Sequence, residues 1–542
     1  MIAGGRRTRR AAVTAAATLL LASGTGVALY HSNDSCRHVA RAGVRCGKAL
    51  ATGIQVAADY QWTLWTGGDK SSCHKRNAER VLSTLEKLGG IYVKWGQHLS
   101  SMVYILPVEW TTTLSRLQDR CEVASSEQDI RAMFQQDFQR NLDDMFEEFD
   151  FTQPIGVASL AQVHKAKLRS SGQWVAVKVQ HPFVDEFCRL DIDTVSWIFG
   201  TIQKLFPDFG FHWVAEDMRE SLPQELDFRY EAANAHKVAQ QFAGEQTTLV
   251  IPQVLWATRR MLCMEFIEGG RVDDKEYMAA HGIDPAQVSR ELITIFANMI
   301  FIHGFVHCDP HPGNILIRKT RGRDSFSKFN FDIVLLDHGV YRSLPDQMRL
   351  DYAHLWTALI QGDEDNIKKY CARVGGSDHR LFASLLTGRE WHTITAAQLF
   401  TARTEEEINH VASKSGLSFF KRITDILSTL PRVMLLLLKT GDLLRNIDEA
   451  LRETSSPQQQ GLMTYVIMGR FCAKAVWLDA RQVFLDQCRC AAAAGLQWQL
   501  VKDTAVAWWR LRSLECNLYI YSLQLTCMHW WHNRHTLLPH II

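Results

Sequence analysis

The chain has little net charge of either sign. Of its 542 residues, 60 are Lys or Arg and 58 are Asp or Glu, a formal net charge of +2. A general nucleic-acid binder carries a clear basic excess, so that class is excluded. The 13 cysteines form no even ladder, which argues against a disulfide-stapled scaffold. There is no Walker A pattern, which closes the P-loop route to nucleotide binding. Internal repeats and long low-complexity linkers are missing too. What remains, at 22% charged and 46% hydrophobic, is a globular composition with length enough for more than one domain.

Acidic residues are also missing from the start. None precedes Asp34, whereas Arg6, Arg7, Arg9 and Arg10 crowd the first turn of sequence. Ala11 to Tyr30 is uncharged and centred on Leu19-Leu20-Leu21. An Arg-rich, acid-free start matches a mitochondrial presequence. The same charge order fits a secretory signal, and the uncharged stretch is long enough to span a bilayer, though Ala, Gly and Thr give little transfer energy. The other end is short of acid as well: after Asp486 only Asp503 and Glu515 are acidic. Trp498, Trp508, Trp509, Trp530 and Trp531 gather there. Trp beside Arg and Lys suits a membrane interface, and a helix packed back on the main domain is the alternative. Cys527, His529, His532 and His535 walk around a helix instead of holding one face, which argues against a metal site.

Residues 76 to 149 read as helical, with Val81, Leu82, Leu85 and Leu88 at helical spacing and Gly89-Gly90 as an interruption. Pro154 ends this region, and from Ile155 the period changes to two. Ser159 to Leu168 and Trp174 to Gln180 read as a hairpin around Ser170-Ser171-Gly172. Val175, Val177 and Val179 share one face of its second strand; Ala176, Lys178 and Gln180 share the other. A lysine is rarely left on such a face without an anionic partner. Helical patterns follow at 185–204 and 212–240, a strand-like run at 251–266, an apolar helix at 286–303, and helices from about 346 to 451.

Asp309 and Asn314 lie five apart on a loop stiffened by Pro310, Pro312 and Gly313. Two short strands follow, and Asp337 ends the second. A hairpin would set one carboxylate near a reacting hydroxyl, with an amide and a second carboxylate facing a metal. Hard oxygen ligands with few protein contacts suit Mg²⁺ carrying phosphates. This is the layout of a kinase catalytic loop and its metal-binding Asp. Lys178 then has a role, neutralising nucleotide phosphates, and Glu231 on a later helix can pair with it. The phosphate-facing loop reads Pro154-Ile155-Gly156-Val157-Ala158-Ser159-Leu160-Ala161, where an ordinary protein kinase has Gly-x-Gly-x-x-Gly. Small residues still let backbone N–H groups approach phosphate, with less freedom than glycine gives.

Several segments together resemble the UbiB family of aarF-domain-containing atypical kinases. They are Lys94-Trp95-Gly96-Gln97, the loop through Ala161-Gln162-Val163-His164, Lys178, Glu225-Leu226-Asp227, His307 to Asn314 and Asp337-His338-Gly339. The Lys-x-Gly-Gln-His-Leu run, His338 and His181-Pro182 look closest to the animal mitochondrial branch. The resemblance implies an α+β, atypical protein-kinase-like fold with a small β-rich N-lobe and a helical C-lobe. It divides the chain into a targeting segment or possible span (1–35), a helical extension (36–150), an N-lobe (151–270), a C-lobe (271–455) and a Trp-rich helical tail (456–542). It also implies roles. Lys178, paired with Glu231, contacts ATP phosphates, Asp309 is the catalytic Asp, and Asn314 and Asp337 hold Mg²⁺. Ile155, Gly156, Val157, Ala158, Ser159 and Val163 border the nucleotide, with Met264, Glu265 and Phe266 at the adenine hinge. Lys94 reaches Glu225, Gln97 sits near the phosphates, and their segment covers the groove where a protein kinase holds its peptide.

The residues agree on that last point. Cys308 stands where protein kinases usually have the Arg that meets a phosphorylated activation loop, and no Ala-Pro-Glu follows the short run after Gly339. The expected substrate is therefore a small molecule, a lipid or water. His338 replaces the usual Phe at a position that packs and does not ligate metal. The resemblance further implies a mitochondrial, membrane-associated protein of the inner membrane, with membrane lipid or membrane proteins as partners and no nucleic acid. A pseudokinase scaffold is the competing reading.

Overall fold

The computed structural model describes residues 34–516 apart from 101, 103–105, 120–124, 183, 207–211, 321–328, 397–425, 427–428, 453–461, 491–497, 499–500, 503, 510 and 514. The Arg-rich leader, Trp530, Trp531 and the Cys527–His535 group lie outside the described residues. The chain sorts into two compact units. One takes the residues up to Asp129, Gly156–Gln162 and Gln180–Pro223; the other takes Ile130–Ile155, Val163–Val179 and the chain from Gln224 onward.

The first unit is helical. Its helices are Asp34–Thr66, Lys70–Leu88, Ile91–Ser100, Val108–Leu114, Val184–Leu205 and, up to Pro223, His212–Glu225, with the turn Arg116–Asp119. Asp69 starts the second by accepting from Ser72 N–H at 2.9 Å, satisfying an orphan donor of the first turn. Gly89 and Gly90 both take positive φ, 66° and 54°, which ends that helix and turns the chain into Ile91–Ser100. The Asp34–Thr66 helix lies along Val184–Leu205. Arg45 Nη2 bonds Asp191 Oδ2 at 2.6 Å, and a methyl on Gly53 would sit 3.0 Å from Ile198 Cγ2, so glycine sets the close approach there. Gly96 is tighter still: a Cβ would collide with Leu117 and lie 2.8 Å from Leu85 Cδ1. The two flanking side chains thus seat the Ile91–Ser100 helix by its bare backbone.

The second unit holds most of the strands: β1 (Phe146–Phe149), β3 (Ala161–Leu168, begun in the first unit), β4 (Trp174–Gln180), β5 (Leu249–Val250), β6 (Val254–Ala257), β7 (Met261–Glu265), β8 (Gly270–Arg271), β9 (Phe305–His307), β10 (Ile315–Lys319), β11 (Phe331–Leu335) and β12 (Tyr341–Ser343); the short β2 is Gly156–Val157. One sheet runs β1-β3-β4-β7-β6. Val175, Val177 and Val179 of β4 point into its core with Phe146, Ala166, Met261 and Cys263, as the alternation in the sequence demands. Ile130, Met133 and Phe134 of the Glu127–Phe138 helix cover that face.

Five segments differ from the sequence expectation. Phe146–Phe149 is a strand, not the end of a helical region. A bulge between Phe146 and Glu148 lets both phenylalanines, three apart, meet the core, and that spacing mimics a helix. The run 251–266 is a hairpin of β6 and β7, not one strand. Thr258 makes its turn, its Oγ1 accepting from Met261 N–H at 3.0 Å, while Arg260 pairs with Asp137. The pattern at 212–240 breaks at Leu226, because Asp227 caps a new helix, Phe228–Gln241, accepting from Arg229 N–H at 3.1 Å. The apolar helix at 286–303 is α-helical over Pro285–Asn298 and ends as a π-turn over Met299–His303 against Gly304. Ser159 and Leu160 also fall before β3, in the turn where Ala158 N–H donates to Ala161 O at 2.8 Å.

A second core unites the Pro285–Asn298 helix with β10, β11 and the Arg432–Arg452 helix, through Leu292, Phe296, Ile315, Ile317, Ile333, Ile447 and Leu451. The sheet here is β5-β11-β10-β8, and β9 pairs with β12 beside it. The fold is α+β: a small antiparallel sheet lobe and a helical remainder.

Candidate active site

The odd lysine of β4 has found its partner. Lys178 Nζ lies 2.8 Å from Glu231 Oε1 and 2.9 Å from Oε2, and 3.7 Å from Asp337 Oδ1. Its ammonium also sits 5.1 Å from the Phe228 ring centre. Both charges of the Lys178–Glu231 pair are largely out of water, which makes loss of either one costly. Burial raises the Glu231 carboxyl to about 7; Lys178 opposes that rise and the Asp337 charge adds to it.

The register Ile315↔Leu335 folds β10 on β11 and brings the 309–314 loop beside Asp337. Leu336 N–H donates to Asn314 O at 2.9 Å. His307 completes the join. Its Nε2–H donates to Asp337 O at 2.8 Å, and its Nδ1 accepts from Asp309 N–H at 3.2 Å. Those two bonds require the neutral, Nε2-protonated ring, and burial lowers the His307 pKa in the same sense. Asn314 Nδ2 donates to Asp309 O at 3.3 Å, which fixes the amide. Asp337 Oδ1 accepts from Gly339 N–H at 2.8 Å, and its carboxylate is well exposed.

This donor set fits Mg²⁺ with phosphates. Asn314 Oδ1 and the Asp337 carboxylate are hard oxygens, too few to saturate a cation, so waters or phosphate oxygens would complete it. Among the described residues no group of three or more His, Cys, Asp or Glu forms a metal cage, so a dedicated zinc-type site is not built here.

Neighbouring groups are held inert. His338 donates from Nε2 to Leu335 O at 3.1 Å and accepts the Tyr341 hydroxyl at Nδ1, 2.9 Å. Burial pushes its pKa down to about 3, so it is a neutral packing residue. Burial pushes the Cys308 thiol up to about 12, and it stays protonated.

The hinge candidates end β7. Glu265 N–H donates to Gln253 O at 2.8 Å, Met264 is buried, and Phe266 stacks under Lys165 Nζ at 4.4 Å. Ile155 is exposed and donates its N–H to Val163 O at 2.8 Å. Glu225 is the last residue of the His212–Glu225 helix and is counted in the second unit, whereas the helix up to Pro223 is counted in the first. In the first unit, Lys94 and Gln97 lie on the Ile91–Ser100 helix, and Gly156, Val157, Ala158 and Ser159 form the small-residue loop. Gln97 Nε2 donates to Leu117 O at 2.9 Å, and its Oε1 receives a long bond from Ser159 Oγ at 3.5 Å, so helix and loop meet within that unit.

Residues 116–371 match the family model described as the ABC1 atypical kinase-like domain. The chain is 41% identical to the ABC1 family protein MCP2 homolog of Schizosaccharomyces pombe over 87% of this chain and 85% of that one. This chain belongs to the ABC1 atypical kinase-like family. It is similar also to the AarF domain-containing protein kinase 1 of Gallus gallus, at 40% identity over 80% of this chain and 83% of that one. The Mus musculus protein of that name is 38% identical over 96% and 97%.

Two residues of this ABC1 site escaped the sequence reading. His307 was visible only as part of a motif; its alternation in β9 gave no hint that both ring nitrogens bridge the loop and Asp337. Lys439 was invisible. Its Nζ lies 3.0 Å from Asp309 Oδ1, yet it comes from the Arg432–Arg452 helix, 130 residues downstream and beyond the matched ABC1 domain.

Proposed function

We propose that this protein binds Mg-ATP and acts as an atypical kinase or ATPase. Lys178 and Glu231 position the phosphates, Asn314 and Asp337 hold Mg²⁺, and Asp309 accepts the proton of the attacking hydroxyl or water. The observation that carries this reading is the single cluster of Lys178, Glu231, Asp309, Asn314 and Asp337 laced together through His307. Bound Mg²⁺ would neutralise charge developing on the phosphates. The chain's own residues orient that cluster and hold the general base. Cys308 in place of arginine, and the short run from Gly339 to the helix Asp346–Gln361, support a small-molecule or lipid acceptor, or water, over a peptide.

Mg-ATP should raise the melting temperature in proportion to its occupancy. Asp337→Ala should remove the Mg²⁺-dependent part of that rise and leave any metal-free part. An unchanged melting temperature with every nucleotide tested would sink the reading.

The resemblance to the animal mitochondrial branch, with the Arg-rich start, supports a mitochondrial protein serving membrane and cristae homeostasis. Membrane lipid is the partner we favour, for a reason on the surface of the first unit. Val44, Gly47, Ala51, Ile54, Ala58, Trp62 and Trp65 recur along one stripe of the Asp34–Thr66 helix, and all are exposed, Trp65 at 79%. No charge interrupts the stripe, and Arg41 and Lys48 flank it. Such a face suits the headgroup boundary of a bilayer. None of the described helices is long and apolar enough to cross one. At the other end, Ala507 and Leu511 are buried while Trp498, Trp508 and Trp509 are exposed. Flotation with anionic vesicles checks the stripe: Trp62→Ser with Trp65→Ser should lower binding about tenfold or more. Unaltered flotation of the double variant would remove the stripe from the reading.

A further inference from the structure

Phosphoryl transfer spreads negative charge over three equatorial oxygens, and its catalysis rests on placed cations. The loop from Asp309 to Asn314 contains no lysine or arginine, and Cys308 precedes it. Lys178 is already held by Glu231 at 2.8 Å and faces Asp337. Yet a second ammonium stands at the loop: Lys439 Nζ, 3.0 Å from Asp309 Oδ1.

Its carrier is rigid. Met434, Leu436, Leu437, Leu438, Ile447 and Leu451 are buried, and Thr440 Oγ1 bonds back to Leu436 O at 2.8 Å. The head groups themselves are not sealed: the side chains of Lys439 and Asp309 are 19% and 29% exposed. Both ends of the pair thus stay in contact with solvent, so neither is closed off from an incoming group.

We propose that Lys439 is a catalytic residue, the second cation of the transfer site. In the nucleotide-free protein it pairs with Asp309. With Mg-ATP loaded it turns to the terminal phosphate, leaving the Asp309 carboxylate for the acceptor. In the step it assists, the bond between the terminal phosphorus and the ADP oxygen breaks, a bond from that phosphorus to the acceptor oxygen forms, and the acceptor proton passes to Asp309. Lys439 supplies charge and exchanges no proton. The proposal rests on the Mg-ATP reading above, and its test separates the two.

The experiment measures thermal shifts with Mg-ADP and with a non-hydrolysable Mg-ATP analogue, beside ATP turnover, in the wild type, Lys439→Met and Lys439→Arg. Lys439→Met should keep the Mg-ADP shift, lose about tenfold or more in affinity for the triphosphate analogue, and turn over about 10²-fold more slowly. Lys439→Arg should restore part of the preference for the triphosphate. If Lys439→Met binds both nucleotides like the wild type and keeps its turnover, the proposal falls while the Mg-ATP reading stands. Equal loss of both nucleotide shifts in Lys439→Met, recovered in Lys439→Arg, would mark a structural tether and also overturn it. A wild type that no nucleotide stabilises would overturn both.

Discussion

Asp309→Asn is expected to lower ATP turnover by about 10²–10⁴-fold, the usual worth of a positioned general base, while the Mg-ATP rise in melting temperature survives. The substitution is nearly isosteric. The backbone of residue 309 keeps its bonds to His307 Nδ1, 3.2 Å, to His311 N–H, 2.7 Å, and to Asn314 Nδ2, 3.3 Å, so the loop should hold its shape. What is lost is the carboxylate, and with it both the proposed proton acceptor and the partner of Lys439. On the proposed reading, nucleotide binding rests on Lys178, Asn314 and Asp337, which the change does not touch, and on Lys439, which it releases toward the terminal phosphate. Turnover by a discontinuous phosphate assay and the thermal shift, read together, check the split. The same variant decides a cellular question. If it restores a cell lacking the protein, the function does not need catalysis, and the scaffold reading wins even though ATP binds.

Glu231→Ala is expected to destabilise the nucleotide-free protein by about 3 kcal/mol, measured by urea unfolding. Removing one partner of a buried ion pair typically costs about 3–5 kcal/mol, because the other charge is left without compensation. Here Asp337 stands 3.7 Å from Lys178 and offers partial relief, so the lower end applies. The gap left by the carboxylate also lies under the backbone of His338, whose carbonyl is held by Asn234 Nδ2 at 2.9 Å. Glu231→Gln, which fills the space and keeps hydrogen-bond acceptance, should cost markedly less. Equal stability of the alanine variant and the wild type would mean that the pair is solvated in solution.

The sequence was most readable where side-chain chemistry conflicted with its surroundings. Lys178 on an otherwise apolar strand demanded an acid, and Glu231 met it. Asp309, Asn314 and Asp337 could be grouped because two short strands between them left the chain one way to fold back. Reading failed where spacing carried two meanings. Phe146 and Phe149, three apart, fit a helix as well as a bulged edge strand, and only pairing with β3 decides. Thr258 and its two arginines looked like the middle of a strand until the hairpin turned there. Lys439 could not have been found by any local pattern. Its partner is 130 residues away, and the helix carrying it reads as ordinary core packing.

The position of that helix bears on how the family's members can be compared. The recognisable domain stops at residue 371, but Ile447 and Leu451 finish the core beneath β10 and β11, and Lys439 reaches Asp309. The domain model is therefore shorter than the unit that folds, whereas the similarity to relatives runs over 87% and 96% of this chain. A protein trimmed to that domain would keep Lys178, Glu231, Asp309, Asn314 and Asp337 but lose the Lys94–Gln97 segment, the helix that finishes the core and the lysine beside Asp309. Inactivity of such a fragment would report on the cut, not on whether the intact chain is an enzyme.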